Sequence, residues 1–208
     1  RMKKNRKGLM LVLSSPSGAG KTTICKEILK LDDEINMSIS FTTRPKRKSE
    51  VDGKDYFFVN EKKFEELRSA SFFIEDAKVF DHCYGTPKEF VEEKLEKGID
   101  VMFDIDWQGA QKLSDYSNSD MVSIFILPPS NSVLLDRLKK RNEDLPEIVE
   151  KRMSKAKSEI SHWIEYDYVI INDNLRKCAN DLIMILKAER KKRSRQKFIF
   201  DFVNSLLE

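Results

Sequence analysis

Apolar positions along the chain fall into two periodicities. Residues 9–14, 101–109, 122–129 and 166–173 open on or contain apolar runs too continuous to leave a polar face, which predicts strands buried on both sides of a parallel sheet. Between them, "KTTICKEILKL", "SVLLDRLKKR" and "LRKCANDLIMILKAERKKR" carry apolar residues at helical spacing, as with Ile24, Cys25, Ile28 and Leu29. Residues 38–80 break this alternation. There "DYFFV" and "SFFIEDAKVF" are aromatic-rich strand candidates separated by one short helical pattern, so the segment reads as an inserted mixed β subdomain. "TPKE" at 86–89 then predicts a helix start, with Thr86 as N-cap, Pro87 at the first helical position and Glu89 closing a capping box, and with Gly98 as the stop. No internal repeat or low-complexity linker is evident.

A chain of 208 residues can bury one substantial core, and its 35% charged residues and lack of a spanning apolar run argue against a membrane protein. The basic start "RMKKNRKG" is followed only by the short apolar run 9–13 without a small-residue cleavage site. No signal peptide is therefore expected, and a cytoplasmic location is. Cys25, Cys83 and Cys178 are scattered and odd in number, which reads as ordinary reduced residues. The net charge of +3 from 38 basic and 35 acidic residues is too balanced to point to nucleic acid. His82, His162, Trp107 and Trp163 show no spacing that suggests metal binding or catalysis. The tail "KAERKKRSRQKFIFDFVNSLLE" reads as a solvated end to the last helix, its aromatic part docked on the core or a partner subunit. Weak binding to RNA or an anionic surface is the competing reading.

The strongest chemical signal is "VLSSPSGAGKTT". An apolar strand, a small-residue loop and an amphipathic helix follow one another, so the loop amides and the helix N-terminus would face one anion-binding cavity. Lys21 would reach the β- and γ-phosphates of ATP, and the Thr22 hydroxyl would ligate Mg²⁺. Ser15 stands where such loops usually open with glycine, a place that a small residue can fill if its φ is negative. In "DID", Asp104 ends a buried strand, at the sheet edge where ligands collect, and offers the acidic group that phosphoryl transfer needs near a metal. A pair of cap or loop aspartates is the plainer alternative.

"SSPSGAGKTT", "SISFTTRPKRKSEVDGKDYFFV", "FIEDAKVFDHCYGTP", "DIDWQGAQ", "LLDRLKKR" with the later "KRMSKAKSEI", and "VIINDNL" occur together in an order and spacing that resembles guanylate kinases, from about residue 7 to about 191. The resemblance implies a three-layer α/β phosphate-loop nucleoside monophosphate kinase fold in a single domain. Its parallel-sheet core would comprise 1–37, 87–129 and 165–208, with a mixed α/β GMP-binding insertion at 38–86 and a helical lid at 130–164. It implies transfer of the γ-phosphoryl group of Mg·ATP to GMP, and to dGMP, by a monomer or homodimer. Scaffold-type modules that keep the fold without the chemistry, and kinases of another phosphorylated acceptor, are the alternatives.

By the same resemblance, Ser15, Pro16, Ser17, Gly18, Ala19, Gly20, Lys21, Thr22, Thr23 and Asn172 form the ATP site, Asn172 near the adenine. Ser40, Arg44, Arg47, Tyr56, Glu75, Tyr84, Thr86 and Asp106, with Asp104 beside the last, form the GMP site. Lys21, Arg44, Arg137, Arg141 and Arg152 carry catalysis. The residue types suit these roles: guanidiniums and phenols pair with a phosphate monoester. Glu75 can accept from guanine's ring N–H and exocyclic amine together, whereas adenine's corresponding edge would repel it. Ser40 and Thr86 can donate to guanine's carbonyl oxygen, although Thr86 before Pro87 also suits a helix cap. Arg137 and Arg141, four apart, share one helical face. The chain departs from the family at Asn142, where glycine is usual, and at Pro146.

Overall fold

The computed structural model describes residues 5–79, 81–141 and 146–208. The apolar run at the start becomes β1 (Met10–Ser14), buried at every position. Its alternate residues serve two different cores. Leu11 and Leu13, with Leu9 just before the strand, pack against Ile24, Cys25, Ile28, Cys178, Leu182 and Leu186. Met10 and Val12 pack against Val91, Leu95, Ala110 and Leu113 on the other face. The helices carrying these contacts are α1 (Lys21–Leu31) and α7 (Leu175–Glu189) on one side, and α3 (Lys88–Glu96) and α4 (Trp107–Ser117) on the other. Helix, sheet and helix form the three layers that the continuous apolar runs require.

The remaining core strands are β2 (Ile35–Met37), β7 (Asp100–Asp104), β8 (Met121–Leu127) and β9 (Tyr168–Ile171). They pair with β1 in the order β2-β7-β1-β8-β9, all in parallel. After β1 the chain leaves toward β2 and β7, and later strands add on the opposite side, so the order reverses at β1 and opens a crevice at its carboxyl end. The inserted segment forms a second, mixed sheet in the order β4-β3-β6-β5, built from β3 (Phe41–Thr42), β4 (Phe57–Phe58), β5 (Phe73–Val79) and β6 (His82–Pro87). Phe41, Phe57, Phe72, Phe73 and Phe64 pack together, Phe41 stacked on Phe57 and Phe64 on Phe73, with Phe72 edge-on to Phe41 and Phe73. Phe64 comes from α2 (Glu61–Ser69), whose first turn is capped by Asn60. Two further helices, α5 (Asn131–Arg141) and α6 (Pro146–Ile160), pack through Leu134, Leu138 and Ala156. Among the described residues no helix is long and apolar enough to cross a membrane.

Two expectations are corrected. Thr86 does not cap a helix: it is the last but one residue of β6, its hydroxyl donates to Glu75 across the sheet, and Pro87 occupies the cap position with φ −70° and no side-chain cap. The carboxylate is the better acceptor partner, so the strand continues one residue further than the capping pattern predicts. The basic tail is likewise not a plain solvated end. Arg190 is buried against Asp32 and Asp100, and Arg195 against Glu189. The aromatic part forms α8 (Ile199–Leu207), in which no residue is buried, Ile199 and Phe202 are half-buried and Phe200, Leu206 and Leu207 are exposed, so of the expected docking on the core or a partner subunit the core covers this helix only in part.

At the amino edge of the main sheet the chain is fastened by charge. Asp100 opens β7 and is fully buried. Its carboxylate accepts from Arg6 Nη1 and Nη2 at 2.6 and 3.1 Å, from the Leu9 amide at 2.9 Å and from Arg190 Nε at 2.7 Å. Arg190 also forks onto Asp32 at 2.7 and 2.8 Å, which ties the ends of α1 and α7 to the sheet.

Candidate active site

The turn after β1 is set by conformations that only its sequence permits. Gly18 and Gly20 have φ of +87° and +90°, a region that residues with a Cβ rarely enter. A Cβ on Gly20 would also lie 2.7 Å from Asn172 Nδ2. Ser15 is not among the described non-glycine residues with positive φ, which are Ser71 and Asp81, so it fills the glycine position without strain. Gly20 begins α1 without a side-chain cap, which leaves the first-turn amides for an anion. Asn172, expected near the adenine, is buried beneath this loop and donates from Nδ2 to the Ala19 carbonyl at 2.8 Å. It braces the turn.

Lys21 Nζ lies 2.5 Å from Asp104 Oδ1. Asp104 ends β7 in register with Leu13, so the strand pairing itself delivers the carboxylate to the phosphate loop. Asp106 caps α4 by accepting from the Gly109 amide at 2.9 Å, the plainer of its two readings, while still lining the cavity. That cavity, about 250 Å³, is walled by residues 15–22, Asp104, Asp106 and Glu159. Glu159, from the end of α6, is absent from the sequence-based site. Its Oε2 is buried and has no hydrogen-bond partner among the described residues. The available signal was its place seven residues after Arg152, on the same helical face.

α5 lies over the loop. Arg137 Nη1 donates to the Gly18 carbonyl at 3.3 Å, and a Cβ on Gly18 would meet Leu134 at 3.3 Å. Arg152 is half-buried on α6. The Arg141 side chain and Asn142 lie outside the described residues. Where α6 returns to the core, His162 stacks on Trp107 with centroids 3.8 Å apart and planes 10° from parallel. The two rings therefore pack against each other.

The second sheet gathers the remaining candidates. Glu75 and Thr86 are cross-strand neighbours joined at 2.9 Å, and Tyr84, two residues before Thr86, shares its face of β6. Burial pushes the Glu75 carboxyl above the ordinary carboxylate range, against the pull of the Thr86 hydrogen bond. Arg44 lies over the Tyr56 ring at 5.3 Å and forks onto Glu50 at 2.6 and 3.1 Å. The Tyr56 and Tyr84 rings stand 6.0 Å apart. Glu50, a further residue that sequence reasoning did not assign, also accepts from the Arg47 amide, and Arg44 holds its carboxyl below the ordinary range. The Arg47 side chain is exposed, and Ser40 lies between β2 and β3, its carbonyl accepting from the Phe57 amide. Burial pushes the Cys25 and Cys178 thiols up to about 12 and about 11, which keeps them protonated and inert.

Comparison with known proteins gives a consistent result. The sequence pattern of the family described as "Guanylate kinase" matches residues 7–189. The guanylate kinase of Novosphingobium aromaticivorans is 53% identical over 203 residues, covering 98% of this chain and 92% of that protein. That of Paramagnetospirillum magneticum is 53% identical over 202 residues, covering 97% and 94%. The crystal structure of guanylate kinase from Anaplasma phagocytophilum has a TM-score of 0.77 and 38% identity, covering 97% of this chain and 96% of that one.

Proposed function

The chain belongs to the guanylate kinase family, and we propose that it passes the γ-phosphoryl group of Mg·ATP directly to GMP at the crevice beside β1 and β7. It is a nucleoside monophosphate kinase; ATP, GMP and a divalent cation are what the family implies. One observation carries the choice of acceptor: Glu75 is a half-buried carboxylate fixed by Thr86, which lies two residues along β6 from Tyr84 and its neighbours Tyr56 and Arg44. A reader of two N–H donors on β5 and a reader of phosphate on β6 thus stand diagonally across adjacent strands, about 7–8 Å apart, on the scale of a mononucleotide.

Because the Thr86 proton is committed to Glu75, Thr86 offers only lone pairs to the base. Ser40 then remains to donate to guanine's carbonyl oxygen. Arg44, Arg47, Tyr56 and Tyr84 hold the acceptor phosphate, and the loop amides with Lys21 hold the β- and γ-phosphates of ATP. To do so Lys21 exchanges Asp104 for phosphate. Arg137, Arg141 and Arg152 offset charge on the transferring group's equatorial oxygens. The acceptor is already an anion, so positioning suffices without a strong base or an enzyme-bound intermediate.

The cavity suits a hard cation. The Thr22 hydroxyl and the Asp104 carboxylate are oxygen donors of the kind Mg²⁺ takes. When bound, the cation neutralises charge on the β- and γ-phosphates. We take 38–86 as the acceptor-binding insertion and 130–164 as the lid, closing on a core of 1–37, 87–129 and 165–208 to exclude water. A cytoplasmic site of action is consistent with three free thiols.

Glu75→Gln tests the acceptor assignment. One of its two acceptor oxygens becomes a misplaced donor, so GMP KM should rise by about 30- to 1000-fold, or about 2–4 kcal/mol, while ATP KM stays within a few-fold. An ADP-release assay across GMP, dGMP, AMP, CMP and UMP measures both this and the parent's preference for guanine. An unchanged GMP KM removes Glu75 from the base site.

A further inference from the structure

The roles assigned above give Glu159 nothing specific to do, yet its carboxylate lines the phosphate-loop cavity with Lys21, Thr22 and Asp104. A buried carboxylate oxygen without a partner is costly, and in a pocket built for polyphosphate it also repels the ligand. Nor is it a chance product of a solvated helix. Arg152, Ala156 and Glu159 follow at spacings of four and three, hence on one face of α6. Ala156, 1% exposed, packs that face against Leu134 and Leu138. Arg152 stands about 10 Å further along the axis. The residues just beyond Glu159 are anchored by the His162–Trp107 stack, next to the Asp106 cap of α4. The Tyr166 hydroxyl is also buried and unpartnered among the described residues, but Tyr166 lines a separate cavity with Trp107 and Glu165.

A cation changes the sign of this arrangement. Mg²⁺ gives up its waters reluctantly and is usually held by substrate phosphates and one or two carboxylates. We propose that Glu159 is a positioning residue for the hydrated divalent cation that accompanies ATP, its Oε2 accepting from a cation-bound water alongside Asp104. The inference rests on the Mg·ATP reading and adds to it a residue from the lid side of the crevice. Arrival of α6 and retention of the cation are thereby linked through one side chain.

The test uses the full chain with ATP and Mn²⁺ and without GMP, so that no transfer occurs. Glu159→Gln should weaken Mn²⁺ binding to the enzyme–ATP complex about 10- to 100-fold, read from the free-Mn²⁺ resonance. Calorimetry without metal should show ATP binding unchanged or tighter, because a repelling charge is gone. Glu159→Asp, charged but shorter, should fall between. Equal losses with and without Mn²⁺ would make Glu159 a structural residue and overturn the inference, as would unchanged Mn²⁺ affinity in both variants. A parent protein that binds ATP no better with Mn²⁺ than without it defeats the Mg·ATP reading itself, and the inference with it. That result is distinct from variants matching a metal-responsive parent.

Discussion

Replacing Lys21 with alanine is expected to lower kcat for ATP and GMP by about 10²- to 10³-fold, since it removes a fixed cation from the oxygens on which charge sits during transfer. Stability should barely change. Lys21 and Asp104 are both partly exposed, so the loss of their 2.5 Å pair leaves a carboxylate that water can reach. Steady-state turnover together with a thermal melt checks both halves. Turnover near the parent value would sink the mechanism proposed for the loop, whereas lost activity with a collapsed melt would show that Lys21 holds the fold. ATP affinity should weaken less than kcat, because the loop amides and the brace from Asn172 to Ala19 remain.

Arg190→Met should do the reverse. The substitution keeps much of the buried volume but strips the cation from Asp32 and from one side of Asp100, which Arg6 alone then neutralises. Breaking a buried pair from one side costs about 3–5 kcal/mol, which for a chain of this size lowers Tm by about 6–20 °C. Below that melting point kcat should stay near the parent value, since the cluster lies at the amino edge of the sheet and the crevice at its carboxyl edge. The pH dependence has a definite sign. Arg190 holds the Asp32 carboxyl below its ordinary value of 3.8, so its contribution is complete above that value and fades as pH falls through the lowered one. A Tm change under about 2 °C would show that solvent already screens the cluster.

What could be read in the sequence follows from how far each signal reaches along the chain. β1, β7 and β8 were legible because burial on both faces writes itself into consecutive residues; β9 has an equally continuous apolar run, but as an edge strand it buries only Ile170 and leaves Val169 and Ile171 exposed, so the expectation of two buried faces fails there. β2 has three residues with only Ile35 fully buried, and β3 has two, too short to show a period; both exist because a neighbouring strand pairs with them. Thr86 misled because the local capping pattern competes with a partner eleven residues back, and only the sheet register decides between them. Arg190 looked like part of a solvated run since its partners lie 90 and 158 positions away. The phosphate loop, Lys21 and the arginines of the second sheet were readable as motifs. Glu50, Glu159 and the brace role of Asn172 were not, because each depends on what the fold brings across from another segment.

The pairing of Lys21 with Asp104, and of Arg44 with Glu50, has a consequence for how substrates are captured. Both of these cations already face an internal anion, so a phosphate arriving at either substitutes for a tethered carboxylate and displaces few mobile ions. Affinity is then the difference between two charged partners of one cation, and both sides of that difference are screened alike as electrolyte is added. Nucleotide capture should accordingly depend on ionic strength far less steeply than the number of cations lining the crevice implies. Its substrates can be bound at nearly constant affinity while the surrounding electrolyte varies.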